Sequence, residues 1–324
     1  MQLTICIPYY NDSENLNELL NSIYECDRNN LKYEIIVCGF DNENKVHNIV
    51  DFWRERLSIS LIDTRKKTSA SINLNKGLKK ANGKIFCRID SHCLIDKNYL
   101  KNGIIEFNKN QLMYSAIGPS VEIIGQTNSS ISRIISKLYM SPFLLGPSKF
   151  KRSFFYKNFS GPTDSIFLGF YLTSDLRDLG GFDENLLRKQ DIDLLSRLKK
   201  MSNKGFYNSS SVIVKYILKQ DSLFKLAKRC YSQGTYLFES SESTRIIHYV
   251  PILALAMFLI FLEISLTFGI FLLSLYLFLC FIFGLIETFS LASFTISLVA
   301  FPFSHIAYVT GNLVSLFKKI LGNS

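Results

Sequence analysis

Ile264 to Ile286 is a run of 23 residues without one charged side chain, and no other feature constrains the fold of this chain as much. About 20 apolar residues in helical form cross a bilayer, and backbone in lipid must satisfy its own hydrogen bonds. The uncharged tract begins earlier, broken only by Glu263, and Val250 to Ile286 spans 37 residues, too many for one ordinary crossing. It predicts two closely spaced helices, split at "LTFG" with Gly269 near a tight turn. A third apolar segment runs from about Leu291 to Phe317, interrupted by Pro302, His305 and Gly311. Lys318 and Lys319 after it, and the basic part of the chain before it, are both expected on the cytosolic side. Three full crossings would separate them, so one segment is expected to be interfacial or re-entrant.

The charge is unevenly placed. Beyond His248 lie only Lys318, Lys319, Glu263 and Glu287, which leaves 35 basic and 25 acidic residues, and the entire formal +10, on residues 1–248. A basic part ahead of an uncharged tail points to an anionic membrane surface or a phosphate-rich substrate. Nucleic acid is disfavoured, because no compact basic helix or aromatic-basic motif is present. The seven cysteines are odd in number and scattered, and "MQLTICIPYYND" has neither a basic n-region nor an apolar h-region. The thiols are therefore expected to be reduced and the catalytic part cytosolic.

Ahead of the tail the pattern alternates. "QLTICIP" reads as a strand ending at Pro8. "SENLNELLNSIYE" then places Leu16, Leu19, Leu20 and Ile23 at helical spacing behind Ser13 as N-cap. "YEIIVCGF" and "SISLIDT" read as strands, "NKVHNIVDFWRERL" as a helix, and "SASINLNKGLKKANG" as a helix ended by Gly83. "KIFCRID" is the next strand. Alternation at this pace means βαβ units and a mainly parallel sheet, an α/β fold whose ligands bind beyond the carboxyl ends of the strands.

Two constellations fall where chemistry is expected. In "CRIDSHC", Cys87 and Cys93 have the wrong spacing for a zinc knuckle and no second cysteine pair follows. On a strand from Lys84 to Asp90, Ile85, Cys87 and Ile89 face one side and Phe86, Arg88 and Asp90 the other. Asp90 and His92 then sit at the strand end, able either to hold a divalent cation against a diphosphate or simply to cap a loop. In "LGGFDENLLRKQDIDLLSRLKK", Gly180 and Gly181 make a turn, Phe182 buries, and Asp191 and Asp193 open a helix carrying Leu194, Leu195 and Leu198. Acidic residues there offset the helix dipole; equally, Asp191 can take a proton from an attacking hydroxyl.

In order and spacing, "TICIPYYNDSENLNELLNSI", "INLNKGLKKANGKIFCRIDSHCLIDKNYL" and "DSIFLGFYLTSDLRDLGGFDENLLRKQDIDLLSRL" resemble the family 2 glycosyltransferases. The likeness is strongest to the membrane-anchored enzymes of exopolysaccharide assembly, of the succinoglycan-biosynthesis type, whose R-hydrophobic-D-x-H element "RIDSH" matches. The resemblance covers about residues 2–250 and implies a GT-A fold over residues 1–245, with transmembrane or membrane-anchoring helices over 246–324. It implies that Pro8, Tyr10, Asn11 and Asp12 border the nucleotide, with Asp12 where a Glu is commoner, and that Asn75 and Gly77 match N-x-G. Arg88, Asp90 and His92 match the metal-diphosphate element, with Asp90 and His92 on Mg²⁺ or Mn²⁺. Asp191 matches the general base, with Gln190 beside it, and Asp164 and Arg229 fall on the acceptor side. Arg229 and Arg245, just before the first apolar segment, either face acceptor phosphates or lipid headgroups or are snorkelling or solvated bases.

Two positions depart from the family. The usual D-D-G-S-like turn, whose first Asp reads a uracil edge, is replaced by Gly39 and Phe40, and Asp41 is displaced. Processive relatives carry Q-x-x-R-W; "RCYSQGTYL" lacks the Arg-Trp pair, so transfer of a single sugar is expected. The expected activity is inverting transfer from a nucleotide-sugar, a UDP-sugar favoured, to a polyprenyl-diphosphate-linked saccharide. The expected place is the cytosolic face of the cell membrane, in exopolysaccharide or cell-surface glycan synthesis. Synthesis of a polyprenyl-phosphate sugar and an inactive nucleotide-binding scaffold are the alternatives. Nucleotidyl transfer is disfavoured, because "IPYYNDSE" is no glycine-rich phosphate loop.

Overall fold

The computed structural model describes residues 1–27, 31–127, 129–145, 159–186, 190–235, 249–288 and 291–321. Arg245 and the expected domain boundary at 245/246 lie outside the described residues. Four parallel strands, β1 (Leu3–Tyr10), β2 (Tyr33–Phe40), β3 (Ile59–Asp63) and β4 (Ile85–Arg88), lie in the order β3-β2-β1-β4. They alternate with helices α1 (Ser13–Tyr24), α2 (Lys45–Arg54) and α3 (Ala70–Lys80). Leu3, Ile5, Cys6 and Ile7 are all fully buried, because a parallel strand is covered on both faces, and so β1 reads as a continuous apolar run.

Several boundaries differ from the sequence expectation. Strand β1 continues through Pro8 to Tyr10, paired only with β2 there, as Pro8 with Cys38 and Tyr10 with Phe40. Its pairing with β4 stops at Cys6 and Arg88, and the Cys6 carbonyl accepts the Ile89 N–H. Residues 6 and 8 therefore turn their backbone groups toward the side where β4 has ended, and the missing proline N–H costs no ladder bond. In α1 the capping position belongs to Asp12 rather than Ser13, and its side chain makes no capping bond. Helix α3 stops at Lys80, three residues before Gly83, whose N–H is taken by the Thr4 hydroxyl at 2.9 Å.

Beyond β4 the sheet turns antiparallel, where β8 pairs with β4 and with β6. After β5 (Cys93–Ile95), α4 (Tyr99–Asn110), β6 (Tyr114–Gly125), α5 (Ser130–Met140) and α6 (Pro142–Leu145) come β7 (Gly161–Thr163), β8 (Phe170–Leu172) and α7 (Thr173–Asp178). Helix α8 (Gln190–Ser202) and β9 (Gly205–Leu218) follow. Strands β8, β6, β9 and β5 extend the sheet beyond β4 in that order, and β7 pairs with β9. Leu194, Leu195 and Leu198 of α8 share one buried cluster with Leu74 and Leu78 of α3, Cys6 of β1 and Phe86 of β4. That apolar stripe holds the N-terminus of α8, and with it Asp191.

The chain forms two compact units: residues 1–122 with 149–217, which hold most of the sheet, and residues 123–148 with 218–324. The second contains α5, α6, α9 (Leu223–Thr235) and three apolar helices, α10 (Val250–Ile264), α11 (Leu266–Thr288) and α12 (Leu291–Ile320). The break between α10 and α11 falls at Ser265, extended at φ −154° and ψ 113°, and not at Gly269, which lies inside α11. Ser265 caps both ends: its N–H bonds the Phe261 carbonyl and its Oγ accepts the Phe268 N–H. Among the described residues, two helical stretches are long and apolar enough to cross a membrane, Leu266–Thr288 (mean hydropathy 2.6) and Ser293–Ile320 (1.3).

Pro302, His305 and Gly311 do not interrupt α12. His305 is satisfied within the bundle: its Nδ1 lies 2.8 Å from the Tyr276 hydroxyl and its Nε2 2.8 Å from the Phe143 carbonyl. Gly311 and Gly234 sit where α9 and α12 touch, and a Cβ at either would lie 2.2 to 2.4 Å from a carbonyl of the other helix.

Candidate active site

The parallel strands deliver Tyr10, Phe40, Asp63 and Arg88 to one edge of the sheet, and the chain turns after β4 through Asp90, Ser91 and His92. Strand alternation is kept: Phe86 joins the core cluster beside Cys6 and Leu74, and Cys87 turns away, its Sγ 3.9 Å from the Tyr99 hydroxyl. All seven cysteines are buried and unbridged. Cys87 and Cys93 are packing residues, as their spacing predicts.

At the centre is Arg88, 6 % exposed. It donates from Nε to Asp90 Oδ1 at 2.9 Å and from Nη2 to Asp90 Oδ2 at 3.3 Å, a two-pronged grip on one carboxylate. Its Nη1 donates to Asp191 Oδ1, across 103 residues of sequence. Burial works against the guanidinium charge, and the Asp191 and Asp90 carboxylates more than offset it, raising its already high pKa. Burial pushes the Asp191 carboxyl above its ordinary range; the charge of Arg88 opposes this and that of Asp90 adds to it. The arrangement thus places a buried cation between a carboxylate on the strand side and one at the head of α8.

Asp12 organises a second cluster. Its Oδ1 accepts the Asn15 amide at 2.6 Å and its Oδ2 the Ser91 hydroxyl at 2.7 Å, with His92 Nδ1 3.7 Å from Oδ2. The His92 ring meets Tyr216 edge-on, centroids 4.6 Å apart, and the His92 carbonyl accepts the Ile217 N–H. Tyr216 and Ser91 carry no local signal in the sequence. Tyr216 reaches His92 only because β5 pairs with β9, with Cys93 opposite Tyr216.

The other expected residues divide between site and scaffold. Tyr10 is exposed, with Lys67 Nζ 4.8 Å from its ring centre, and Asn11, at φ +43°, accepts the Asn42 N–H at 2.9 Å. Pro8 is buried inside β1. Asn75 Oδ1 accepts the Phe182 N–H while its Nδ2 donates to the Phe182 carbonyl and to Glu184, so Asn75 pins the turn in which Gly180 and Gly181 have φ +78° and +80°. Gly77 lets α3 sit on β1: a Cβ there would lie 2.3 Å from Cys6 Sγ. Gln190 bonds the Leu186 carbonyl and Asp164 is exposed. Asp193 pairs with Arg197 one turn on, while Arg229 belongs to the other compact unit, over the Tyr139 ring and bonded to Gln220.

Asp41 does not stand free at the strand ends. It is 6 % exposed and accepts the Tyr9 hydroxyl at 2.8 Å and the N–H groups of Glu43 and Val46. Burial disfavours its charge, but those bonds more than offset it and hold its pKa below the ordinary range. Its carboxylate is committed to the fold.

Among the described residues no group of three or more His, Cys, Asp or Glu is placed to hold a metal ion. One carboxylate, already gripped by Arg88, and one imidazole do not enclose an ion. They fit Mg²⁺ or Mn²⁺ only as a cation that keeps water and substrate phosphate for its remaining ligands.

Residues 4–178 match the family model for glycosyl transferase family 2. That is more than half of the chain, which belongs to the family 2 glycosyltransferases. A dolichyl N-acetyl-alpha-D-glucosaminyl phosphate 3-beta-D-2,3-diacetamido-2,3-dideoxy-beta-D-glucuronosyltransferase of Methanococcus voltae is 23% identical over 238 residues, 72% of this chain and 71% of that protein. The poly(ribitol-phosphate) beta-N-acetylglucosaminyltransferase TarS of Staphylococcus aureus is 28% identical over 104 residues, 32% of this chain and 18% of TarS. Among solved structures, mannosyltransferase PcManGT of Pyrobaculum calidifontis, in complex with GDP-Man and Mn²⁺, has a TM-score of 0.56 at 15% identity, covering 100% of this chain and 88% of that one. Residues 1–349 of TarS give 0.51 at 16% identity, covering 99% and 92%. These likenesses show the fold, which is GT-A.

Proposed function

We propose that this chain moves one sugar, with inversion, from a nucleotide-sugar to a saccharide carried on a polyprenyl-type lipid, at the cytosolic face of a membrane, in cell-surface glycan synthesis. The observation that carries the reading is the Arg88 bridge between Asp90 and Asp191. A donor diphosphate belongs beside Asp90, beyond the strand ends, and an acceptor hydroxyl beside Asp191. Oδ1 of Asp191 is engaged by Arg88, so Oδ2 is the atom that receives the hydroxyl proton. The acceptor oxygen then bonds the anomeric carbon as the bond from that carbon to the phosphate oxygen breaks, and the electron pair leaves with the nucleoside diphosphate. Arg88 keeps Asp191 ionised against burial and holds it in place. Asp90 and His92 would hold a divalent cation, which neutralises the departing diphosphate when bound.

Residues 1–245 are read as the catalytic domain and 246–324 as its anchor. Two crossings, by α11 and α12, return the chain to the side it left, in keeping with a basic catalytic part and Lys318–Lys319 on one face. Helix α10, 15 residues and about 22 Å long, is too short to span a core of about 30 Å. The lipid-linked acceptor is supported by these helices and by the dolichyl-linked substrate named for the Methanococcus relative.

The test is calorimetric titration of the detergent-purified protein and its Asp90→Ala variant with UDP, GDP and CDP, with and without Mn²⁺. Metal-dependent binding of one nucleotide, lost in the variant, supports the donor site and names the donor class, for which UDP is the first candidate. Folded protein that binds none of the three refutes the reading.

A further inference from the structure

The loop between β7 (Gly161–Thr163) and β8 (Phe170–Leu172) holds a conformation that bulky residues avoid. Leu168 has φ +60°, in the left-handed region, although its side chain is 1 % exposed. An aliphatic side chain gains nothing from that backbone, which crowds its Cβ against the next carbonyl. Strain of this kind persists only where the surroundings impose it, and it collects at sites that must aim a side chain. Here the surroundings are explicit. The Leu168 carbonyl accepts the Tyr99 hydroxyl at 3.5 Å, and the Gly169 carbonyl accepts the Arg88 N–H at 3.2 Å. The Thr163 hydroxyl donates to the Ser165 carbonyl and accepts the Ser165 N–H. A Cβ on Gly169 would lie 2.7 Å from both Ile166 Cγ2 and the Tyr171 hydroxyl, so the loop has no slack.

The side chain presented by this loop is Phe167. Ile166 and Leu168 on either side of it are buried, and Phe167 between them is half-buried. Its ring meets Tyr216 edge-on, centroids 5.3 Å apart at 68°, and Tyr216 meets His92 in the same manner at 4.6 Å and 71°. His92, Tyr216 and Phe167 therefore form a row of three half-buried rings, tied to the site at one end by His92 and at the other by the Gly169–Arg88 bond. The row leads away from the nucleotide side. Tyr10 and Asn11 end β1, whereas Phe167 leads into β8 and Tyr216 lies on β9, beyond β4 in the sheet. With the diphosphate at Asp90, the groups that reach this row are sugars, and the acceptor saccharide is the one farthest from the nucleotide. A pyranose shows C–H bonds on its faces and hydroxyls at its rim. Those C–H bonds suit the electron-rich face of an aromatic ring, and Asp164, exposed at the head of the same loop, is a hydrogen-bond acceptor for rim hydroxyls.

We infer that Phe167 and Tyr216 are a stacking wall for a pyranose ring of the acceptor saccharide. The inference rests on the glycosyl-transfer reading, and the test separates the two. Saturation-transfer difference NMR is run on the detergent-purified protein with the methyl glycosides of β-D-glucose, β-D-galactose, α-D-mannose and N-acetyl-β-D-glucosamine. The same preparations are titrated calorimetrically with UDP, GDP and CDP in the presence of Mn²⁺. Phe167→Leu keeps an apolar side chain in place and removes the ring; Phe167→Tyr restores the ring. A thermal scan of each variant checks that it is folded.

The expected result is saturation of at least one glycoside, strongest at the C–H protons of one ring face. Its Kd rises about 2- to 12-fold in Phe167→Leu, the span of a single aromatic contact, and returns in Phe167→Tyr, while nucleotide affinity stays close to that of the parent in both. Protein that binds a nucleotide but gives no saturation of any glycoside, or the same saturation in Phe167→Leu, overturns the inference and leaves glycosyl transfer standing. Loss of nucleotide binding together with glycoside binding in Phe167→Leu also overturns it, because the ring then serves the fold of the site and not the sugar. Parent protein that binds no nucleotide refutes the glycosyl-transfer reading, and the acceptor assignment with it.

Discussion

Replacing Arg88 with glutamine isolates what one buried cation does in this protein. The side chain is 8 % exposed and faces two carboxylates whose side chains are 12 % and 24 % exposed. Solvent screening therefore offers little relief. Removing one partner of a buried ionic group typically costs about 3–5 kcal/mol, because the remaining charge stays desolvated and unpaired. Here two carboxylates are orphaned at once, so the upper half of that range is expected. Against a total stability of about 5–15 kcal/mol, the loss is large. At roughly 2–4 °C per kcal/mol for a domain of this size, it is about 8–20 °C of melting temperature in a thermal scan of the detergent-purified protein. Arg88→Gln combined with Asp191→Asn should cost about 1–3 kcal/mol less than the two single losses added together, since the groups share one network. A loss below about 1 kcal/mol for Arg88→Gln, the magnitude of an exposed pair, would refute the claim that this cation organises the site.

Asp191→Asn is expected to lower turnover by about 10²–10⁴-fold while leaving nucleotide affinity close to that of the parent, because it removes the proton acceptor and not the donor side; equal losses in both measurements would count against the assigned role. Burial holds the Asp191 carboxyl above the ordinary aspartate range, and the neighbouring Asp90 adds to it. The acidic limb of the rate–pH profile should therefore lie above about 3.9, the value of an unperturbed aspartate. The same shift has the opposite sign for stability. A carboxyl that binds its proton more tightly when folded costs nothing below its unfolded value and destabilises as pH rises through the folded one, a slope that Asp191→Asn should remove. Gly77→Ala places a methyl group 2.3 Å from Cys6 Sγ and should cost about 1–3 kcal/mol by overpacking, with partial recovery in Cys6→Ala/Gly77→Ala; chemical denaturation of the three variants checks it.

The strands and helices of the first hundred residues were legible because each element carries its own pattern. A buried parallel strand is a short apolar run, and a helix over a sheet shows a stripe at helical spacing. The uncharged run from Ile264 to Ile286, most of which is α11, needed no tertiary information at all. The positions of Asp90 and Asp191 were readable too, one at the end of a strand and one at the head of a helix. Only the folded chain decided what they face. Arg88 joins residues 103 positions apart, and Tyr216 reaches His92 through a pairing of β5 with β9 that no local pattern encodes.

The tertiary structure also decided where other polar side chains spend their hydrogen bonds. Asn75 spends its amide on the backbone of Phe182, and Asp41 spends its carboxylate on Tyr9 and two backbone N–H groups. A polar side chain in sequence is an offer of hydrogen bonds, and burial decides who accepts it. The break before α11 moved from Gly269 to Ser265 for a related reason: a serine can cap two helix ends, whereas Gly269 remains inside the helix. Element type follows from patterns within a window of a dozen residues. The partners of each side chain follow from where the chain returns, which those windows do not contain.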